Sequence, residues 1–190
     1  MKFILDALAH WKKKDDGVTA IEFSLLVGPM IWIMLGTIEI TLAFAASSNL
    51  EGAVMSASRN ILTGQIQNAA TPEEAVKMFE DVLCEEVSVF VDCDNIMYQV
   101  TSLGSGGSFN EAQMQPAPEF NDDGELLNQD GEPGNTFTPG GNSEIILIRV
   151  IYNYDVKTPV IGNILGGEDG AFRFTSSLIM QTEPYEFPSN

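Results

Sequence analysis

An uninterrupted apolar run near the N-terminus dominates the pattern of hydrophobic and polar positions. The run "FSLLVGPMIWIMLGTI" lies between Glu22 and Glu39 and contains no charged residue. Extended over residues 18–46, it is long enough to cross a bilayer core of about 30 Å as an α-helix. The pattern therefore predicts one transmembrane helix.

Beyond this run, small and apolar residues continue at spacings of three and four from Ala43 to Ile61. This spacing keeps one helix face uninterrupted, so the helix is predicted to continue outside the membrane over residues 47–64. Gly64 is suited to the position just after a helix. A single helix from residue 18 to about residue 62 would be about 68 Å long at 1.5 Å per residue.

The remainder of the chain contains shorter patterned segments. Thr71 and Pro72 suit the N-cap and the first position of a second helix, and the apolar residues after them fall on one face. Strands are predicted where residues alternate in polarity or are rich in Ile, Val and Tyr, at residues 95–102, 143–156 and 170–183.

These elements predict an α+β fold, in which the exported half of the long helix packs on a small antiparallel β-sheet. The second, short helix precedes the strands. Residues 65–190 would form the exported domain. Within it, residues 103–142 are rich in Gly, Asn, Asp and Pro, and their length predicts a flexible acidic loop insertion.

Charge is distributed unevenly along the chain. The chain has 27 Asp and Glu residues against 9 Lys and Arg residues, for a formal net charge of −18. From Ile40 onward there are 22 acidic and five basic residues. A nucleic-acid partner is not expected, because phosphate binding needs clustered Lys and Arg. Lys12, Lys13 and Lys14 precede the apolar run and predict a cytoplasmic N-terminus with an exported acidic domain.

Side chains for catalysis are scarce after residue 17. The single histidine, His10, lies before it, which excludes Ser-His-Asp and Cys-His catalysis and most zinc sites from the exported domain. No spacing of carboxylates singles out an acid–base pair, so the chain is predicted not to be an enzyme and no cofactor is expected. Cys84 and Cys93 are predicted to form a disulfide outside the cytosol; two buried free thiols are the alternative.

The acidic insertion offers one metal hypothesis. Asp122, Asp123, Asp130 and Glu132 supply hard oxygen ligands of the kind that calcium prefers. Their spacing does not match an EF-hand loop, which needs a D-x-D-x-D-G start and a distal glutamate. A solvated acidic loop is the preferred interpretation, and calcium binding is the alternative.

Glu22 and Glu39 stand at the two ends of the apolar run. A carboxylate in a membrane costs a few kcal/mol, so it is seldom left without a role. The two residues are separated by about 25 Å along a helix and cannot share one proton or one ion. Snorkelling of either side chain to the nearby interface is one interpretation; a role in contacts between subunits is the other.

The N-terminal motif resembles a known class of signal. "DDGVTAIEF" is similar to the class III signal sequences of the type IV pilin superfamily, in which a prepilin peptidase cuts after glycine and leaves glutamate at the fifth mature position. Mapped here, residues 1–17 are a cleaved leader, cleavage falls between Gly17 and Val18, and Glu22 is the fifth mature residue.

The resemblance extends beyond the signal. The small-rich stretch through "GTIE" to "TGQ", the two cysteines and "IRVIYNYDVKTPVIGNILGG" resemble the TadE-like family of Tad (Flp-type, type IVb/IVc) pilus systems. Major Tad pilins tend to have Tyr where Phe23 stands here, and they are much shorter than the 190 − 17 = 173 residues left by cleavage. The resemblance therefore implies a minor pilin or pseudopilin, with Glu22, Phe23 and Glu39 in subunit assembly.

The resemblance also implies partners and a location. The expected partners are a prepilin peptidase, other minor and major Tad pilins, and the inner-membrane assembly platform. The expected location is the inner membrane, with one span and a periplasmic domain, or the extracellular pilus. The implied role is pilus assembly or priming for adhesion. The alternative hypothesis is an uncleaved single-pass membrane scaffold or receptor whose exported domain binds a ligand.

Overall fold

The fold is that of a computed structural model, which describes residues 17–87, 91–156, 158 and 172–185. The predicted leader as far as residue 16 lies outside the described residues, as does the motif segment 159–171. The chain divides into two compact units after Ile40. In the first unit, the described residues after Gly17 all belong to one helix.

This helix, α1, begins at Val18 and ends at Leu62, which confirms the predicted long helix. Gly64 follows it with a φ of +76°, a left-handed conformation that favours glycine and stops the helix. A Cβ atom at Gly64 would lie 2.8 Å from the ring of Tyr185. Gly64 thus serves both the turn and the close approach of Tyr185.

Two further helices and four strands complete the described fold. Helix α2 spans Pro72–Val87 and begins as predicted, because the Thr71 hydroxyl accepts a 3.2 Å hydrogen bond from the Glu74 amide. The remaining elements are β1 (Ile96–Ser102), the short helix α3 (Phe109–Gln113), β2 (Thr136–Phe137), β3 (Ile145–Tyr154) and β4 (Phe172–Gln181).

The strands form one sheet in the order β2-β1-β3-β4. Strand β3 is antiparallel to both neighbours, with Val150 opposite Tyr98 of β1 and Ser176 of β4. Strand β2 is parallel to β1, so the sheet is mixed and the antiparallel prediction was wrong in this respect. A parallel neighbour needs a long connection, and the insertion between β1 and β2 supplies one.

The main core lies between the helices and one face of the sheet. Along β3, Ile146, Ile148 and Val150 point to this face and are fully buried. The helices contribute small and branched side chains of α1 and the apolar face of α2, namely Ala46, Leu50, Ala53, Val54, Ala57, Ile61, Ala75, Phe79, Leu83 and Val87. Three of these α1 residues are alanines, so much of the helix surface in this core is formed by small side chains.

The opposite face of the sheet is covered by residues of the predicted insertion. Leu147 and Ile151 of β3 point to this face and are buried. The Arg149 guanidinium donates to the main-chain carbonyls of Gln115 and Pro116. Gln99 of β1 donates a 3.2 Å hydrogen bond to another carbonyl of the insertion. The sheet therefore has a helix side and an insertion side.

The insertion has local structure that hydrophobic periodicity did not predict. It contains α3, β2 and two antiparallel bridges, Phe120–Leu126 and Leu127–Pro133. Asparagine side chains hold its turns. The Asn121 side-chain oxygen accepts from the Glu125 amide at 2.8 Å, and the Asn128 oxygen accepts from two amides at 2.9 and 3.0 Å. Such Asx turns leave no apolar period in the sequence.

Candidate functional site

The N-terminal end of α1 is the place where the sequence predicts processing and assembly. Gly17 is exposed, and Val18, the next residue, is the first residue of α1. A Cβ atom built at Gly17 meets no other atom within 4 Å. The peptide bond between Gly17 and Val18 thus lies at the start of α1. No close contact in the fold requires a glycine at position 17.

The first part of α1 exposes an apolar surface. The helix is long and apolar enough to cross a membrane, and the residues of its most apolar window are not buried. Its large exposed side chains are Val18, Ile21, Phe23, Leu25, Leu26, Met30, Ile31, Trp32, Ile33, Met34, Leu35, Ile38, Ile40, Leu42 and Phe44. Exposed apolar area of this extent needs a lipid or protein environment.

Glu22 and Phe23 lie side by side on this surface. Both are exposed, and the Phe23 side chain is 67% exposed. Within the described part of the chain, neither side chain forms a hydrogen bond or a ring contact. Their side chains are therefore available to a second molecule, whereas the fold of this chain does not depend on them.

Glu39 differs from Glu22. Its side chain is only 5% exposed, although the apolar residues around it on α1 are exposed. Whether Glu39 acts in subunit contacts or reaches the membrane interface stays a prediction. In the sequence both glutamates stand at an end of the same apolar run. In the structure Glu22 is exposed and Glu39 is buried.

Cys84 and Cys93 are brought together at the end of α2. Their Cα atoms lie 5.5 Å apart and their sulfur atoms are joined. Cys84 belongs to α2, and Cys93 begins a short 3-10 turn that leads into β1. The bond thus connects the second helix to the first strand.

The four carboxylates of the calcium hypothesis are not assembled into a ligand set. Within the described ranges, no group of three or more Asp, Glu, His or Cys side chains could hold a metal ion. Asp122, Asp123, Asp130 and Glu132 are all exposed at the turns of the insertion. The asparagines of these turns bond to main-chain amides, and the carboxylates face solvent.

Glu144 has a hydrogen-bonded carboxylate with a shifted pKa, and sequence analysis did not identify it. Its Oε2 accepts hydrogen bonds from the Ser102 hydroxyl at 2.6 Å and from the Gly141 amide at 2.9 Å. These two bonds hold the pKa of Glu144 below its ordinary value. The Glu144 amide donates to the Thr182 hydroxyl, so this residue joins β1, β3 and the end of β4. Its role is structural.

Residues 17–59 match the family model of TadE-like proteins. The match begins at the glycine that precedes α1 and ends within α1. It confirms the predicted resemblance over this TadE-like segment and suggests a Tad pilus-associated protein with an N-terminal apolar helix. The resemblance predicted for residues 60–190 stays a prediction. No curated protein and no solved structure matches the chain.

Proposed function

We propose that this protein is a minor pilin or pseudopilin of a Tad-type type IV pilus. The observation that carries the proposal is a coincidence of three boundaries. The TadE-like match begins at Gly17, the exposed apolar helix begins at Val18, and the class III signal places its cleavage between these two residues. Cleavage there would remove the leader without interrupting any turn of α1.

In this proposal the chain is inserted in the inner membrane with its N-terminus in the cytoplasm. A prepilin peptidase removes residues 1–17, and the acidic domain stands in the periplasm or on the pilus. The protein has a structural role and no catalytic one. Its partners are other minor and major Tad pilins and the assembly platform, and its role is assembly or priming of a pilus used in adhesion.

Cleavage would create a new amine at Val18, and Glu22 lies one helical turn further on. Two opposite charges that enter a low-dielectric helical bundle lose less free energy if they enter as a pair. We therefore assign Glu22 to the amine of a neighbouring subunit. The exposure of Glu22 and Phe23 supports this assignment, since neither side chain is used by the fold of its own chain.

N-terminal sequencing of the protein extracted from membranes tests the proposal directly. The expected sequence is Val-Thr-Ala-Ile-Glu. A mature protein that still carries residues 1–17 would overturn the proposal and favour the alternative, an uncleaved membrane scaffold or receptor. A start within residues 46–50 would instead indicate ordinary signal-peptide cleavage and loss of the membrane helix.

A further inference from the structure

Strand β4 lies at one edge of the sheet, and half of its main-chain groups point away from β3. The Thr182 amide donates to the Glu144 carbonyl at 3.0 Å, whereas the Ile145 carbonyl accepts from the Leu103 amide on the β1 side. Because the direction of main-chain groups alternates along antiparallel strands, the even-numbered residues of β4 bond to β3 and the odd-numbered residues face outward. The outward-facing residues are Arg173, Thr175, Ser177, Ile179 and Gln181.

Four of these residues carry outward main-chain groups that are not paired. Among the residues that the structure describes, Thr175, Ser177, Ile179 and Gln181 make no main-chain hydrogen bond on the outer side of β4. The span between the first and the last of them is about 20 Å at roughly 3.3 Å per residue. Donors and acceptors in such a row are a template for one more strand, because only an extended chain presents its own groups at the same spacing.

Strand β4 lacks the features with which proteins protect such an edge. Exposed edge strands are commonly short, bulged, or interrupted by proline and charged side chains. Strand β4 instead pairs with β3 over ten consecutive residues without a bulge, contains no proline and carries no charge after Arg173. The other edge strand, β2, has only two residues. This contrast points to the outer edge of β4 as the side of the sheet that receives a partner.

The two faces of the sheet differ in polarity beside this edge. On the helix side, Phe174, Leu178 and Met180 pack against the core and are only partly buried. On the insertion side, Thr175 and Ser177 are exposed. Because side chains alternate across a strand, an added strand extends both surfaces if it has apolar residues on one face and small polar residues on the other.

Charge distinguishes a second copy of this chain from a different protein as the occupant of the edge. From Ile40 onward the chain has 22 acidic and five basic residues, so two copies of this part repel each other. A basic segment is attracted to the same surroundings, and the four outward positions of β4 carry no charge that opposes its approach. The charge of the chain therefore favours a basic strand from another protein.

We propose that the outer edge of β4 binds an extended segment of a different protein, which adds a fifth strand to the four-stranded sheet. The segment alternates apolar and small polar side chains over about seven residues and is flanked by Lys or Arg. This interaction goes beyond the proposed function and does not depend on it, because it concerns a sheet edge and not the processing of α1.

Binding is tested with the full chain in detergent micelles and three fluorescent peptides. The first peptide alternates Val and Thr between terminal lysines, the second has terminal glutamates instead, and the third keeps the lysines but has Pro in place of each Thr. Fluorescence anisotropy at low salt should show saturable binding of the first peptide, at least about tenfold tighter than that of the other two. In this complex the outward amides of Thr175, Ser177 and Ile179 should become protected from hydrogen exchange.

Ser177→Pro and Ser177→Ala are a matched pair of variants. The Ser177 amide points away from β3, so proline removes an outward donor without removing a hydrogen bond between β3 and β4. Ser177→Pro is expected to weaken binding of the first peptide at least about tenfold, whereas Ser177→Ala should leave it unchanged. Thr175→Lys places a charge of the same sign as the peptide on the edge and should also weaken binding. Thermal unfolding of each variant shows whether the fold persists.

Several results would overturn the proposal. Absence of saturable binding to the wild-type chain is one, and equal binding of the three peptides is another. Slow hydrogen exchange of the outward amides in the free monomer would show that the chain covers this edge itself. A concentration-dependent dimer that is lost in Ser177→Pro would make a second copy the occupant. If Ser177→Pro unfolds the domain, Thr175→Lys decides, since unchanged binding in that folded variant removes the edge as the site.

Discussion

The Tyr98 hydroxyl of β1 donates a 2.6 Å hydrogen bond to the carboxylate of Glu80 on α2. Tyr98 is buried beside Phe79, with ring centroids 5.3 Å apart in an edge-to-face arrangement. Burial and the adjacent carboxylate raise the pKa of Tyr98 far above its ordinary value, so it remains a donor at all ordinary pH values. This contact fixes the second helix on the sheet.

Phe79→Ala is expected to lower the free energy of unfolding by about 3–5 kcal/mol, because the ring is fully buried and contacts both Tyr98 and Phe137. Tyr98→Phe should cost less, about 1–3 kcal/mol, because it removes one hydrogen bond to a carboxylate. Chemical denaturation measures both. Met55→Ala, at a side chain 63% exposed on α1, is the control, and a loss comparable to that of Phe79→Ala would contradict the core assignment.

Glu144 predicts a pH dependence of stability. Its folded-state pKa lies below the ordinary value of 4.5 because of the bonds from Ser102 and Gly141. The stabilisation is therefore present above pH 4.5 and is lost as the pH falls through the lower folded-state pKa. Glu144→Gln should be less stable at neutral pH and should lose less stability on acidification. Denaturation between pH 3 and pH 7 tests this, with exposed Glu51→Gln as control; parallel curves for Glu144→Gln and wild type would refute it.

The bond between Cys84 and Cys93 should stabilise the α+β part of the chain that follows α1. It closes a short loop, and the loss of chain entropy in the unfolded state is worth about 2–3 kcal/mol for a loop of this size. The double variant with Cys84→Ala and Cys93→Ala should therefore unfold at a lower denaturant concentration than the wild-type protein. In wild-type protein, a thiol-reactive probe should label neither cysteine before reduction and both afterwards. Immediate labelling of two thiols would indicate free cysteines instead.

Gly17→Leu is expected to block processing. A Cβ atom at this position meets no other atom within 4 Å, so the effect is expected on peptidase recognition and not on folding. A precursor about 2 kDa heavier should accumulate in membranes, from 17 residues at roughly 110 Da each. Gly28→Leu is a matched control, since a Cβ atom there also meets nothing, and it should be processed normally. Unchanged gel mobility of Gly17→Leu would contradict cleavage at this bond.

Glu22→Ala separates processing from assembly. The variant should insert in the membrane and be cleaved, but it should not support piliation, because the amine of a neighbouring subunit loses its counter-charge in an apolar surrounding. Piliation is counted by electron microscopy of cells that express each variant. Glu51→Ala, an exposed glutamate on the same helix, should leave piliation intact. Normal piliation with Glu22→Ala would remove Glu22 from subunit pairing.

Much of the fold was predictable because its signals are local. The 45-residue helix α1 follows from an apolar run and the small-residue spacing after it, and the start of α2 follows from Thr71 and Pro72. The strands β1, β3 and β4 follow from alternation or from enrichment in β-branched and aromatic residues. The predicted processing motif at Gly17 is likewise a short stretch of sequence. These features do not depend on which distant segments meet.

Only the tertiary structure decided the features that join distant residues. Strand β2 has two residues and no alternation of its own, so its parallel place beside β1 depends on the path of the insertion. The sequence shows Arg149 as one basic residue in a strand, whereas the fold surrounds it with neutral carbonyls. Glu22 and Glu39 look alike in the apolar run. Packing buries one and exposes the other, because burial is a property of contacts and not of sequence.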